Sequence, residues 1–265
     1  MSSRYTLVSA VAVALALGVA ASARAQLSDD ERKCSDAVNK IARGIANQEQ
    51  KKNRACVKDG MDDIDVCVDT EAETSTQQRA KLAALFDIGG KCDPLPMFGV
   101  NSNPQTIADA VERAAGDILR GAFGDPVDGI VSDNKCHDRI AKRMGKKLDA
   151  EMKAFRTCVK HLPGITSTMD IENCIASAIN DTRAQNVVQP KLQADIEGVC
   201  DTSAAPPPGL EDGTCAACTD PATCGGCLGD VVDCQVCQAL IIQTGIVVDC
   251  DTMDDSLPNS SCLPE

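Results

Sequence analysis

The chain has 265 residues and a formal charge of -13, with 16 cysteines, 4 phenylalanines, 1 tyrosine and no tryptophan. Nucleic-acid binding requires clustered cations, and single strands usually also require aromatic stacking surfaces. The overall composition offers neither, so it argues against a nucleic-acid partner and against aromatic platforms for sugars.

Residues 1–25 have the three parts of a secretory signal peptide. Arg4 precedes an apolar run that begins at Leu7 and ends at Ala21, and Ala23-Arg24-Ala25 is a small-residue cleavage site. We expect cleavage before Gln26. The apolar run has 15 residues, short of the roughly 20 that cross a bilayer, and we expect no second long apolar stretch and no membrane span after cleavage. Cleavage removes two of the 26 basic residues and none of the 39 acidic residues, so the mature formal charge is -15.

Export places the cysteines in an oxidising compartment, either the periplasm or the extracellular space. There, an even number of cysteines predicts a framework of disulfide bonds. The 16 cysteines could form eight bridges. Such cross-links would offset part of the chain entropy of a protein whose few aromatic side chains can bury little apolar area.

The first eight cysteines repeat one pattern of spacings. They are separated by 22, 11 and 25 residues in the first group and by 22, 16 and 26 in the second. Aligning the groups at an offset of 102 gives nine identities in the 25 positions that begin at Cys34 and Cys136. We therefore interpret 26–131 as one helical module and 132–202 as the hairpin of a second copy.

Each copy begins with a predicted helix. Ser28 and Glu31 have the spacing of a capping box, and Gly60 or Pro163-Gly164 supplies a stop signal. A separation of 22 residues is about six helical turns, so the two cysteines of each helix share a face. A return helix is predicted from Ile64 to Ile88 in the first copy. The same faces carry Val38, Ile41 and Ile45 in the first copy, and Ile140, Met144, Leu148 and Phe155 in the second.

Helix length selects the disulfide pairing within each copy. In one helix, Cys34 and Cys56 would be about 33 Å apart, against the roughly 6 Å between Cα atoms that a disulfide requires. Joining Cys34 to Cys67 would require parallel helices with a nearly extended connection. An antiparallel hairpin is simpler and predicts nested bridges. These are Cys34–Cys92 and Cys56–Cys67, with Cys136–Cys200 and Cys158–Cys174 in the second copy.

A third helix is predicted in each copy. One starts at Asn103-Pro104 and carries Ile107, Val111 and Ile118 at helical spacing. The other starts at Leu228 and aligns with the first at an offset of 121. Pro190 should kink or break the last helix of the second hairpin. Residues 203–265 contain a proline-rich linker, a cysteine-rich segment and this last helix.

The segment 215–262 holds eight cysteines, and three interpretations of it stay open. It is a disulfide-linked cap, an exported metal site of CxxC thiolates, or a thiol-disulfide oxidoreductase that uses Cys234 and Cys237. No CxxC is followed by histidine, which excludes haem attachment. The pairing inside the segment is not deducible from the sequence. The candidate metal ligands are Cys215, Cys218, Cys224 and Cys227.

No catalytic residue and no cofactor are predicted. The sequence lacks the GxSxG, HExxH and GxGxxG motifs and a phosphate-binding loop. His137 and His161 fall at opposite ends of one predicted helix, about 36 Å apart, and we expect both to be solvated.

The helices with cysteines 22 residues apart, followed by a helix containing a DCxxC pattern, resemble the cysteine-rich tandem-repeat exported proteins of environmental bacteria. That group has no assigned activity, so the resemblance implies the architecture and no ligand. We therefore expect an all-α protein of two tandem disulfide-linked helical-hairpin modules with a cysteine-rich C-terminal segment. We expect it to act as a structural or binding module, with a protein or a cell-surface component as partner.

Overall fold

The computed structural model describes residues 27–59, 66, 68, 73–124, 134–162, 165–200, 210, 213–251 and 262. Over these ranges the fold is all-helical and has no strand, which confirms the predicted class. The helices are α1 (Asp29–Asp59), α2 (Glu73–Phe86), α3 (Pro104–Phe123), α4 (Asn134–His161), α5 (Thr168–Ile179), a π-helical segment (Ala184–Val188), α6 (Gln189–Val199) and α7 (Pro221–Thr244).

Helices α1 and α4 form an antiparallel pair held by two reciprocal ion pairs. Arg54 of α1 donates to Asp138 of α4 at 2.7 and 3.1 Å, and Arg156 of α4 donates to Asp36 of α1 at 2.8 and 3.1 Å. In each case an arginine late in one helix meets an aspartate early in the other. The two helices therefore run in opposite directions along most of their length.

Helices α3 and α7 complete a core of four long helices. Helix α1 contacts α3 and α4, and α7 contacts the same two helices. The interface is dominated by small and branched side chains, because few aromatic residues are present. Fully buried core residues include Val38, Ile45, Val111, Ile118, Ile140, Met144, Leu148, Phe155, Leu228, Val232 and Leu240.

Helix α7 begins at Pro221, seven residues before the predicted start at Leu228. The side chain of Asp220 caps the helix by accepting from the backbone N–H of Ala222 and Thr223 at 2.9 and 3.0 Å. The helix is long and apolar enough to cross a membrane, but much of it is buried inside the protein. We expected no long apolar stretch after the one in the signal peptide, and the composition of α7 shows that this expectation is wrong.

The return limbs of the two hairpins differ. Helix α2 occupies Glu73–Phe86 and ends two residues before the predicted end at Ile88, whereas Ile64 lies outside the described residues. In the second hairpin, α5 ends at Ile179, and the π-helical segment then leads into α6. Pro190 lies in the first turn of α6, where its missing N–H costs no helical hydrogen bond. The predicted break in the return helix therefore lies before Pro190, between the end of α5 and the start of α6.

Disulfides join the ends of the hairpins. The structure links Cys34 to Cys92, Cys136 to Cys200 and Cys158 to Cys174. Cys56 is also disulfide-bonded, and its predicted partner Cys67 lies outside the described residues. These bonds connect α1 to the segment after α2, the start of α4 to the end of α6, and the end of α4 to α5. Many disulfides are consistent with an oxidising, exported location.

Candidate functional site

An open groove of about 810 Å³ lies along α4, bordered by α1, α5, the π-helical segment and α6. Its lining includes six lysine and arginine side chains and two aspartates. This concentration of cations contrasts with the acidic charge of the whole chain. We call it the basic groove and define it by Arg43, Arg143, Lys146, Lys153, Arg183 and Lys191.

The basic groove is built chiefly on one face of α4. Lys146, Ala150, Lys153, Thr157 and His161 follow each other at steps of three or four residues, which places them along one side of the helix. The small side chain between the two lysines leaves room above the helix. Helix α4 therefore contributes a cationic wall with an open floor.

Two arginines at the edge of the groove are already neutralised. Arg43 of α1 donates to both carboxylate oxygens of Asp149 at 2.7 and 2.9 Å, and Asn47 donates to Asp149 at 2.5 Å. Burial opposes ionisation of Asp149, but these hydrogen bonds outweigh it and lower the pKa of its carboxyl below the usual value. Arg143 is paired with Asp195 of α6. These pairs fix the walls of the groove.

The other four cations have no ion-pair partner among the described residues. They are Lys146 and Lys153 of α4, Arg183 just before the π-helical segment, and Lys191 of α6. Partial desolvation and repulsion from Arg143, Lys142 and Lys191 lower the pKa of the Lys146 ammonium. An anion in the groove would relieve this repulsion, so the local electrostatics favour an anionic ligand.

The basic groove shows that the overall composition is misleading about clustered cations. Clustered cations do exist, although the net charge of the chain concealed them. Helix α4 alone contains nine lysines and arginines against three acidic residues, a local excess that could have been found from the sequence. No phenylalanine, tyrosine or tryptophan lines the groove, in agreement with the composition.

The two histidines have different environments. His161 is exposed and lines the basic groove. His137 is fully buried and packs against Phe123 of α3, with ring centroids 5.1 Å apart. The expectation of a solvated His137 is therefore wrong, because the first turn of α4 is covered by the end of α3.

The cysteine-rich segment is cross-linked onto α7. Cys215 is joined to Cys227 and Cys218 to Cys224, so each CxxC pair bonds to the other pair and not internally. Cys234 and Cys237 bond to different partners, Cys262 and Cys250. Disulfide sulfurs are not thiolates, so the four candidate metal ligands do not fit a zinc or iron–sulfur site in this state. Among the described residues no cluster of three or more metal-binding side chains occurs.

A second cluster of charged residues is inaccessible to any ligand. Lys147 and Glu151 of α4 and Asp233 of α7 are each no more than 1% exposed. Lys147 donates to Asp233 at 2.5 Å and lies 3.1 Å from the Glu151 carboxylate, and Gln185 donates to Asp233 at 3.1 Å. This cluster holds α4 against α7 and is structural.

No protein-family model, curated protein or solved structure matches the chain. The geometry and charge of the basic groove are therefore the observations that bear on function.

Proposed function

We propose that the protein is an exported, disulfide-linked helical binding module that holds an anionic ligand in the basic groove. The observation that carries the proposal is a set of four cations in a groove of about 810 Å³, on a chain of charge -13, for which the described part of the chain supplies no ion-pair partner. Unpaired cations gathered in a concave surface raise the local concentration of anions and steer them to the site.

Export and a tandem architecture are part of this proposal. The signal-like features of residues 1–25 and the many disulfides support an exported protein, either periplasmic or extracellular. The duplicated cysteine spacing and the reciprocal ion pairs support two related modules, since Arg54 and Arg156, like Asp36 and Asp138, are 102 residues apart. The proposed boundaries remain 26–131 and 132–202, with 203–265 completing the second copy.

The cysteine-rich segment has a structural role in this proposal. Its bridges join the start and the middle of α7 to the segments that flank the helix, and α7 in turn contacts α4, which carries the basic groove. Neither alternative use of these cysteines gains support. A metal site requires thiolates, and a redox CxxC motif requires Cys234 and Cys237 to pair with each other, whereas each is bonded to a different cysteine.

The proposal is tested by titrating the oxidised mature protein with tripolyphosphate in a calorimeter at low ionic strength. We expect saturable binding that weakens as salt is added, because exposed charges are screened. Lys153→Gln and Arg183→Gln should each weaken binding about 5-fold, which corresponds to roughly 1 kcal/mol for one exposed ion contact.

The matched control is Lys81→Gln, which removes an exposed helical lysine of α2 outside the groove. It should bind tripolyphosphate as the unmodified protein does. An absence of binding, or an equal loss in the control and the two groove variants, would refute an anion site in the basic groove.

A further inference from the structure

A smaller groove of about 310 Å³ lies between α1 and α4 and meets the basic groove. The two cavities share Lys146 and Asp149 in their linings. Lys51 of α1 and Lys142 of α4 line the smaller groove, and neither has an ion-pair partner within the described ranges. We call this cavity the side groove.

Together the two grooves form one cationic track along α4. Lys142, Lys146 and Lys153 lie on the same face of the helix, and the distance from the first to the last is about 17 Å at 1.5 Å per residue. Asp149 lies where the grooves meet, but its charge is compensated by Arg43 and Asn47. The track is therefore electrostatically continuous.

The spacing of these cations along α4 indicates how long a ligand must be to contact all of them. A single small anion could contact only one part of a track of this length, which would leave the remaining lysines without counter-charges. A flexible chain with an anionic group in every unit could bind the lysines one after another. Once the first group is bound, the next groups of the same chain are present at a high effective concentration near the remaining lysines.

The lining of the grooves distinguishes among linear polyanions. Among the described residues no aromatic side chain lines either groove, so this lining offers no surface for the stacking of bases or sugar rings. Its polar groups are chiefly lysine and arginine side chains. A lysine ammonium binds phosphate oxygens as a point charge, and an arginine guanidinium binds two of them at once. We propose that the basic groove and the side groove together form an extended binding site for linear polyphosphate. This inference rests on the proposed function and assigns its ligand class.

The test compares polyphosphates of increasing chain length by calorimetry, from tripolyphosphate to a chain that can follow the whole of the track. We expect the long chain to bind at least roughly tenfold more tightly per chain than tripolyphosphate, because it engages both grooves. The double variant Lys51→Gln/Lys142→Gln should bring the affinity for the long chain down towards that for tripolyphosphate and weaken tripolyphosphate binding far less, because the basic groove keeps its own cations. Lys81→Gln should change neither.

Several outcomes separate this inference from the proposed function. If the double variant binds the long chain as tightly as the unmodified protein, the extended site is wrong and the anion site stands. If an oligogalacturonate of matched charge binds as tightly as the long polyphosphate, the assignment of phosphate is wrong. If neither phosphate probe binds, the proposed function itself fails.

Discussion

At the scale of single residues, the buried Glu151 carboxyl has an unusual environment. It is fully buried, and the ammonium group of Lys147, 3.1 Å away, is shared with Asp233. Burial, which the nearby Asp233 reinforces and Lys147 opposes, raises the pKa of Glu151 well above its ordinary value of 4.5. Protonation of Glu151 therefore leaves Lys147 paired with Asp233 and removes a second buried carboxylate charge that would have no cation of its own.

The raised pKa of Glu151 predicts a pH-dependent loss of stability. Its contribution is fully present below the unfolded-state pKa and is lost as the pH rises through the folded-state value. Relative to Glu151→Gln, which stays neutral, the unmodified protein should lose free energy of unfolding as the pH increases from about 4.5. At neutral pH the variant should be more stable by about 1 kcal/mol or more, measured by urea denaturation.

The matched control for this prediction is Glu49→Gln, 102 residues earlier in α1. Glu49 is also buried, but it accepts a hydrogen bond from Ser75 at 2.5 Å and pairs with Lys52 at 2.9 Å. Its loss should destabilise the protein at neutral pH, because it removes hydrogen bonds to a charged group. Equal pH dependence of the unmodified protein and Glu151→Gln would contradict the assignment.

At the scale of elements, the hairpins are stabilised by disulfides that close loops of different length. Cys34–Cys92 closes a separation of 58 residues, and Cys158–Cys174 closes one of 16. Loop closure restricts the unfolded chain more strongly when the loop is longer. The first bridge should therefore contribute more to stability, although both tie a long helix to a neighbouring segment.

This difference gives a second prediction. Replacing both Cys34 and Cys92 by alanine should lower the free energy of unfolding by about 4 kcal/mol, and replacing both Cys158 and Cys174 should lower it by about 3 kcal/mol. Chemical denaturation of the two double variants measures both values. The reverse order, with the shorter loop costing more, would show that chain entropy does not dominate.

At the scale of the whole molecule, charge and cross-linking are unevenly distributed. An acidic chain concentrates its unpaired cations along α4, and all four bridges of the C-terminal segment involve cysteines of α7. The core around these helices is poor in aromatic residues and rich in small ones. We therefore expect reduction of the disulfides to disrupt the tertiary packing more than it disrupts the helical secondary structure.

The corresponding prediction concerns the exported protein without any substitution. Intact mass should show a chain that begins at Gln26 and has no free thiol. Reductant should then lower the melting temperature sharply, while circular dichroism at moderate temperature keeps part of its helical signal. A melting temperature that does not change on full reduction would contradict this view of the fold.

Much of the helical framework could be predicted from the sequence. The rise per residue of a helix excluded a bridge between Cys34 and Cys56, and in the structure Cys34 is joined to Cys92. The start at Asn103-Pro104 was predictable because asparagine followed by proline is typical of the start of a helix. In the structure the side chain of Asn103 accepts hydrogen bonds from the backbone N–H groups of Gln105 and Thr106 at 3.0 and 3.3 Å. The earlier start of α7 was missed, although Asp220-Pro221 carries a similar signal.

What the sequence by itself determined are the local properties: helical periodicity, capping and the direction of the hairpins, which follow from interactions between residues close in the chain. Only the tertiary structure decided the burial of His137, the compensation of Asp149 by Arg43, and the convergence of Lys153, Arg183 and Lys191 in one groove. These features join side chains from helices that are distant in sequence. They depend on how α1, α3, α4 and α6 pack, because no periodicity within one helix specifies which face of another helix it will meet.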